Sequence, residues 1–155
     1  MLLPLDYRDL LKILNKHRVR YLIVGAYAVI YYTEPQYTKD LDVWIEPTLE
    51  NAKRLYKALK EFGLPLKSVK LEDFTDKDLF YQIGVVPVRV DIMMGIKGLE
   101  FEDSWENRII TNFERIKVNI LGVNELIRSK EITGRNEDIK DIERLQCILK
   151  KKGKR

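Results

Sequence analysis

Histidine and cysteine are almost missing from the 155-residue chain: His17 and Cys147 occur once each. A single thiol cannot form an internal disulfide, and one imidazole with one thiol cannot complete a Cys/His zinc site. Cys147 sits in an apolar helical pattern, which suits a reducing cytosol. Long hydrophobic runs are missing as well. The longest, Tyr21–Tyr32, falls short of the roughly 20 residues of a membrane-spanning helix and contains Gly25. No basic, cleavable leader precedes it, so the chain reads as mature and cytoplasmic, with no membrane partner. A glycine-rich loop ending in Lys-Ser/Thr is absent, which argues against P-loop chemistry. No internal repeat, low-complexity segment or linker marks a second domain, and the length suffices to bury a core without a staple.

Charge is plentiful and of both signs, 28 Lys and Arg against 24 Asp and Glu, for a formal net charge of +4. The excess is concentrated at the end, Lys150-Lys151-Lys152-Gly153-Lys154-Arg155. Such an end is either a frayed helix terminus whose cations suit the helix dipole or an arm for phosphates on RNA or DNA.

The stretch Tyr37–Glu46, YTKDLDVWIE, is the centre of the reading. In a strand, Asp40, Asp42 and Trp44 share one face while Leu41, Val43 and Ile45 share the other. Two like charges at the edge of a core repel unless a cation or proton relieves them, which makes a divalent metal the candidate; a solvated strand end is the alternative. Val88–Met93 repeats the arrangement, with Val88, Val90 and Ile92 on one face and Arg89 and Asp91 on the other. If the two strands are neighbours, Asp91 becomes a third carboxylate, and oxygen-only clusters of this kind suit Mg²⁺. Otherwise Arg89 or Lys39 neutralises Asp91 in an ordinary ion pair.

Around these strands the chain reads as a first amphipathic helix from Asp6, its possible N-cap, to Lys16, and a buried strand Tyr21–Val24. Gly25 then opens an apolar helix. A glycine there admits a ligand close to the backbone, with free N–H groups for an anion, or is a tight turn and nothing more. Thr33–Thr38 is a connection. Thr48 caps a helix that Gly63 and Pro65 stop. Leu64–Lys77 carries no assignable pattern. Phe80–Ile83 and Val88–Met93 form a hairpin around Gly84–Pro87, a short helix lies in Phe101–Arg108, and strands follow at Ile109–Asn112 and Arg115–Ile120. Asn124 caps a helix that ends at Gly134, and Asn136 opens a last one with Ile139, Ile142, Leu145, Ile148 and Leu149 on one side. Lys130 and Arg135 between them form a solvated face or a grip on a triphosphate.

The motifs LIVGAYAVIYY, TKDLDVWI, VRVDIMMG and LIRSKEITGRNEDIKDIERL resemble, in that order, the nucleotidyltransferase superfamily with the polymerase-beta-like fold. More closely they look like the minimal bacterial and archaeal members that include toxins related to the abortive-infection protein AbiEii. The resemblance spans nearly the whole chain. It implies an α/β (α+β) nucleotidyltransferase fold: a short mixed sheet flanked by helices in residues 1–122, C-terminal helices packed alongside in 123–150, and a basic tail, 151–155. It further implies that Asp40, Asp42 and Asp91 are catalytic and hold two Mg²⁺ ions. Gly25, Ala26 and Lys130 would bind a nucleoside triphosphate, whose NMP passes to a hydroxyl of RNA, a protein or a small molecule. One departure stands out. The superfamily usually has Gly or Ser after the first glycine, and Ala26 offers its N–H but no hydroxyl, which leaves open a fold that binds nucleotide poorly. The alternative is a non-catalytic binding module, one partner of a toxin–antitoxin pair.

Overall fold

The computed structural model describes residues 5–33, 40–85 and 88–153. The expectations for Tyr37, Thr38, Lys39 and most of the Pro35 connection, for the middle of the hairpin turn, and for Lys154 and Arg155 lie outside these residues.

Among the described residues, six strands form one mixed sheet in the order β3-β4-β2-β1-β6-β5. The strands are β1 (Tyr21–Val24), β2 (Leu41–Ile45), β3 (Phe80–Val85), β4 (Val88–Met93), β5 (Ile109–Phe113) and β6 (Ile116–Ile120). β1 runs antiparallel to β2 and parallel to β6, and β2 runs parallel to β4. The hairpins β3–β4 and β5–β6 complete the two sides. The helices are α1 (Leu5–Lys16), α2 (Gly25–Tyr32), α3 (Leu49–Phe62), α4 (Phe101–Glu106), α5 (Val123–Thr133) and α6 (Ile139–Gly153). This is the mixed α/β architecture expected of the sequence. None of these helices is long and apolar enough to cross a membrane.

β1 is buried along its whole length, as a continuous run of Tyr, Leu, Ile and Val in a central strand requires. In β2 both faces are largely buried. Leu41, Val43 and Ile45 form one apolar face, and on the other Trp44 packs edge-on against Phe101 with ring centroids 5.2 Å apart. The face shared by Asp42 and Trp44 is therefore polar only at its Asp42 end.

The ends of β1 and β2 are tied together by Asn51, a buried polar residue on α3. Its Oδ1 accepts from Arg20 N at 2.8 Å and its Nδ2 donates to the carbonyls of Arg20 and Glu46, each at 3.0 Å. Thr48 caps α3 as expected, accepting from Asn51 N at 3.3 Å, and Gly63 closes the helix with φ 92°.

Several boundaries differ from expectation. Asp6 lies inside α1, which starts at Leu5. Gly122, not Asn124, precedes α5, and no side chain caps that helix. Asn136–Asp138 is a 3₁₀ turn, with α6 starting at Ile139, whose side chain is 51% exposed instead of joining the apolar stripe. Leu145 carries that stripe into the core. Leu71–Thr75, within the unassigned stretch, forms a 3₁₀ helix that buries Phe74. Cys147 is exposed.

Candidate active site

The register of three strands brings the acidic residues together. Val24 on β1 stands opposite Asp42 on β2, and Asp42 stands beside Asp91 on β4. Side chains at paired positions share a face, so the two carboxylates lie on the same side of the sheet. Gly25 follows Val24 with φ 66°, and a Cβ at that position would overlap the Asp42 carboxylate. The glycine thus serves two ends: it adopts the left-handed turn from β1 into α2, and it leaves room for Asp42. The first turn of α2 carries no acidic residue and no side chain caps it. Ala26, in that turn, is exposed.

Burial raises the Asp42 carboxyl to about 7, and a hydrogen bond with Asp91 and the charges of Asp91 and Asp40 add to the rise. The Arg89 guanidinium opposes it more weakly. At this pair, a proton is retained where isolated carboxyls have already lost theirs. Asp42 Oδ1 and Asp91 Oδ1 are both buried and neither has a hydrogen-bond partner. Two orphaned carboxylate oxygens on one face are the donor set a hard divalent cation takes. That observation fits a metal at Asp42 and Asp91.

Asp40 is placed differently. Its Oδ2 accepts from Arg89, which stands two residues before Asp91 on the same face of β4. The ion pair anticipated for Arg89 therefore forms with Asp40, while Asp91 is left to Asp42. With Asp40 drawn aside, no group of three or more acidic, His or Cys side chains is gathered closely enough to hold a metal among the described residues. The position of Arg89 is held from the other side, where Tyr7 donates its hydroxyl to the Arg89 carbonyl at 2.8 Å.

A cavity of about 200 Å³ lies between Asp42 and the C-terminal helices, lined by Gly25, Asp42, Ser129, Lys130, Arg135 and Asp138 among others. Lys130 thus faces the same space as Gly25 and Asp42, but its ammonium is already engaged. It donates to Asp138 at 3.1 Å and pairs with Asp141 at 3.4 Å. Arg135 holds the other oxygen of Asp138 at 3.0 Å. Burial pushes the Asp138 carboxyl up, but the bonds and charges of Lys130 and Arg135 outweigh it and bring the carboxyl below its ordinary value. The sequence spacing had placed Lys130 and Arg135 near each other. It had not shown that one buried aspartate would hold both, although Asp138, three residues after Arg135, carried that signal.

A family model described as a nucleotidyltransferase of unknown function, DUF6036, matches residues 4–150. No curated protein matches the sequence. Among solved structures, one similar fold is that of a protein from Thermotoga maritima assigned as a nucleotidyltransferase, 16% identical, with a TM-score of 0.59 over 96% of this chain and 91% of that one. Another is the lincosamide antibiotic adenylyltransferase LnuA bound to lincomycin, 14% identical, with a TM-score of 0.58 over 92% of this chain and 96% of that one. A third is ANT(2″)-Ia in complex with adenylyl-2″-tobramycin, 9% identical, with a TM-score of 0.61 over 92% of this chain and 87% of that one. At such identities the likeness is one of fold.

Proposed function

Since the chain belongs to the DUF6036 family of nucleotidyltransferases, we propose that it moves an NMP from an NTP to a hydroxyl acceptor, with Mg²⁺, and releases pyrophosphate. The observation that carries this reading is the adjacency of Asp42 and Asp91, each with a buried oxygen lacking a partner, beneath the glycine that opens α2. Asp42 and Asp91 would hold the metal, and Asp40 would join them on leaving Arg89. Bound there, the metal supplies charge neutralisation for the α-phosphate and pyrophosphate and lowers the pKa of the attacking hydroxyl.

The protein's own groups have separable parts. Gly25 keeps side-chain bulk away from the phosphates, and the N–H groups at the start of α2, including that of Ala26, face negative charge with a favourable dipole. Asp91 takes the acceptor proton. Arg89, once free of Asp40, carries a permanent positive charge beside the phosphates. Lys130 reaches the triphosphate tail only by leaving Asp138 and Asp141, so its contribution is smaller than that of an unpaired lysine.

Two of the fold neighbours are described by adenylyl transfer, LnuA by its name and ANT(2″)-Ia by its bound product. ATP is therefore the first donor to try, and a small hydroxylated molecule is an acceptor class to set beside RNA and protein. The test is a thermal-shift titration with Mg²⁺ and non-hydrolysable analogues of the four NTPs, on the wild type and on Asp42→Asn. A ligand at about 100 times its Kd adds roughly 2.7 kcal/mol, which moves the midpoint of a domain this size by about 5 to 10 °C. The nucleotide should add a further shift beyond that of Mg²⁺ alone, one that requires the metal and disappears in Asp42→Asn. A nucleotide shift that survives the substitution would remove the acidic pair from the mechanism.

A second reading is a non-catalytic module of the same fold, one half of a toxin–antitoxin pair, and the prior engagement of Asp40 by Arg89 and of Lys130 by Asp138 favours it. The narrower kinship with AbiEii-related toxins belongs with this question. Under the catalytic form of that kinship, expression in a bacterial host arrests growth and Asp42→Asn relieves the arrest. Arrest by both forms would point to binding alone.

A further inference from the structure

At the far end of β1 from Gly25 lies a second cavity, of about 430 Å³, lined by Arg18, Arg20, Arg54, Arg108 and Lys117 around Trp105. Among the described residues, no acidic side chain lines it. A four-residue strand separates the two ends, about 13 Å at 3.3 Å per residue. The cavity is therefore distinct from the acidic pair.

Some of its cations are balanced from outside. Arg20 pairs with Glu46 at 3.0 Å and lies within 3.8 Å of Glu102, and Arg54 pairs with Glu50 at 2.6 Å. Arg18, Arg108 and Lys117 have no carboxylate partner among the described residues. Arg108 is the most constrained of the three. Its guanidinium lies over the Trp105 ring at 3.8 Å from the centroid, donates to the Trp105 carbonyl at 2.8 Å and to Asn119 Oδ1 at 3.2 Å. Burial and the nearby charge of Arg20 both weaken its hold on its proton, the mark of a cation that lacks a counter-charge. Phe101 stacks with Trp105, rings 20° apart, and so fixes the platform. Beside this, Ile110 presents an apolar side chain that is 50% exposed.

We propose that this cavity binds the phosphodiester backbone of single-stranded RNA, with Arg18, Arg108 and Lys117 meeting phosphates and the Arg108–Trp105 stack and Ile110 offering surfaces to the bases. Planar guanidiniums match phosphate oxygens two at a time, and a guanidinium held flat on an aromatic ring is a platform on which a base stacks. An acidic protein partner would meet the same charges but would have no use for the stack. The proposal does not depend on nucleotidyl transfer.

The test is fluorescence anisotropy of a labelled single-stranded RNA of about 12 nucleotides with the full chain. Three phosphate contacts on a single strand give a log–log salt slope of about −2, hence a loss of affinity of about 20-fold between 50 and 200 mM salt. The double variant Arg18→Gln/Lys117→Gln alters two exposed side chains; it should reduce the slope to about −0.7 and weaken binding at least about tenfold at low salt. Arg18→Lys/Lys117→Arg should restore it, and thermal melting checks that both variants fold. Asp42→Asn should bind RNA as the wild type does, so failure of the transfer reading and failure of this one are told apart. Absence of binding at low salt, or binding indifferent to the double variant, would overturn the proposal. Tripolyphosphate or poly-glutamate of matched charge should bind at least about tenfold more weakly. Equal binding by the first would reassign the cavity to free polyphosphates, and by the second to an acidic protein.

Discussion

Replacing Asp42 by asparagine should make the metal-free protein more stable, increasingly so as pH rises. The Asp42 carboxyl stands at about 7 in the fold against 3.8 for the free side chain. Between those values the folded chain holds a proton that the unfolded chain has released, and stability falls as pH climbs wherever the folded state binds more protons. Below about pH 4 both states are protonated and nothing is lost. Above about pH 7 the full cost is felt, of the order of 4 kcal/mol for some three pH units at 1.36 kcal/mol each. Asparagine removes the charge and keeps a donor for Asp91. Other carboxyls, such as Asp73 and Asp138, are lowered in the fold and stabilise it in the opposite sense with pH. The informative quantity is therefore the difference between variant and wild type. Melting at pH 5, 6, 7 and 8 should show the asparagine variant ahead by a margin that widens to about 10 °C. Millimolar Mg²⁺ at pH 8 should raise the wild type towards the variant and leave the variant unmoved, because the metal takes the place of the proton. A wild type as stable as Asp42→Asn at pH 8 without metal would show that the pair is not under electrostatic strain.

Gly25→Ala should be among the most disruptive single-methyl changes in the chain. The backbone there has φ 66°, which costs an L-residue roughly 1–2 kcal/mol, and the new Cβ would meet the carboxylate of Asp42. A loss of about 2–4 kcal/mol is expected, with loss of metal-dependent stabilisation. Gly63→Ala is the matched control: it carries φ 92° at the end of α3, but nothing lies within 4 Å of its added Cβ. It should cost only the backbone term and leave metal binding intact. Thermal melting combined with Mn²⁺ titration monitored by electron paramagnetic resonance separates the two effects. Equal costs for both glycines, with Mn²⁺ binding preserved in each, would contradict the close approach of Gly25 and Asp42.

The elements that could be read from the sequence are those whose pattern is local. β1 is a four-residue apolar run stopped by a glycine, α3 has its helical stripe, its threonine cap and its glycine end, and the β3–β4 hairpin has two strand-like segments across a turn. The adjacency of Asp42 and Asp91 was legible only as a condition, since alternation places each side chain on a face but says nothing of which strands meet. Parallel pairing of β2 with β4 is a non-local fact. The partner of Arg89 was open for the same reason: Asp91, the partner weighed as an alternative to metal binding, is two residues away along β4, but Arg89 meets Asp40 across the sheet. The hairpin between β5 and β6 turns through Glu114 and Arg115, both at positive φ, where glycine or asparagine would normally announce the turn. The basic cavity gave no motif at all, because Arg18, Arg54, Arg108 and Lys117 come from four separate stretches.

The strand order also sets a timetable. A nascent chain leaving the ribosome presents Gly25 and Asp42 early, and β1 can zip onto β2 by local antiparallel pairing. Asp91 must then return past β3 to lie along the free edge of β2, and the second edge of β1 stays open until β6 emerges some hundred residues after α1 began. Lys130 arrives later still. Until β4 and β6 have emerged the chain therefore carries an open central strand and an incomplete acidic pair, a vulnerable interval before the sheet closes.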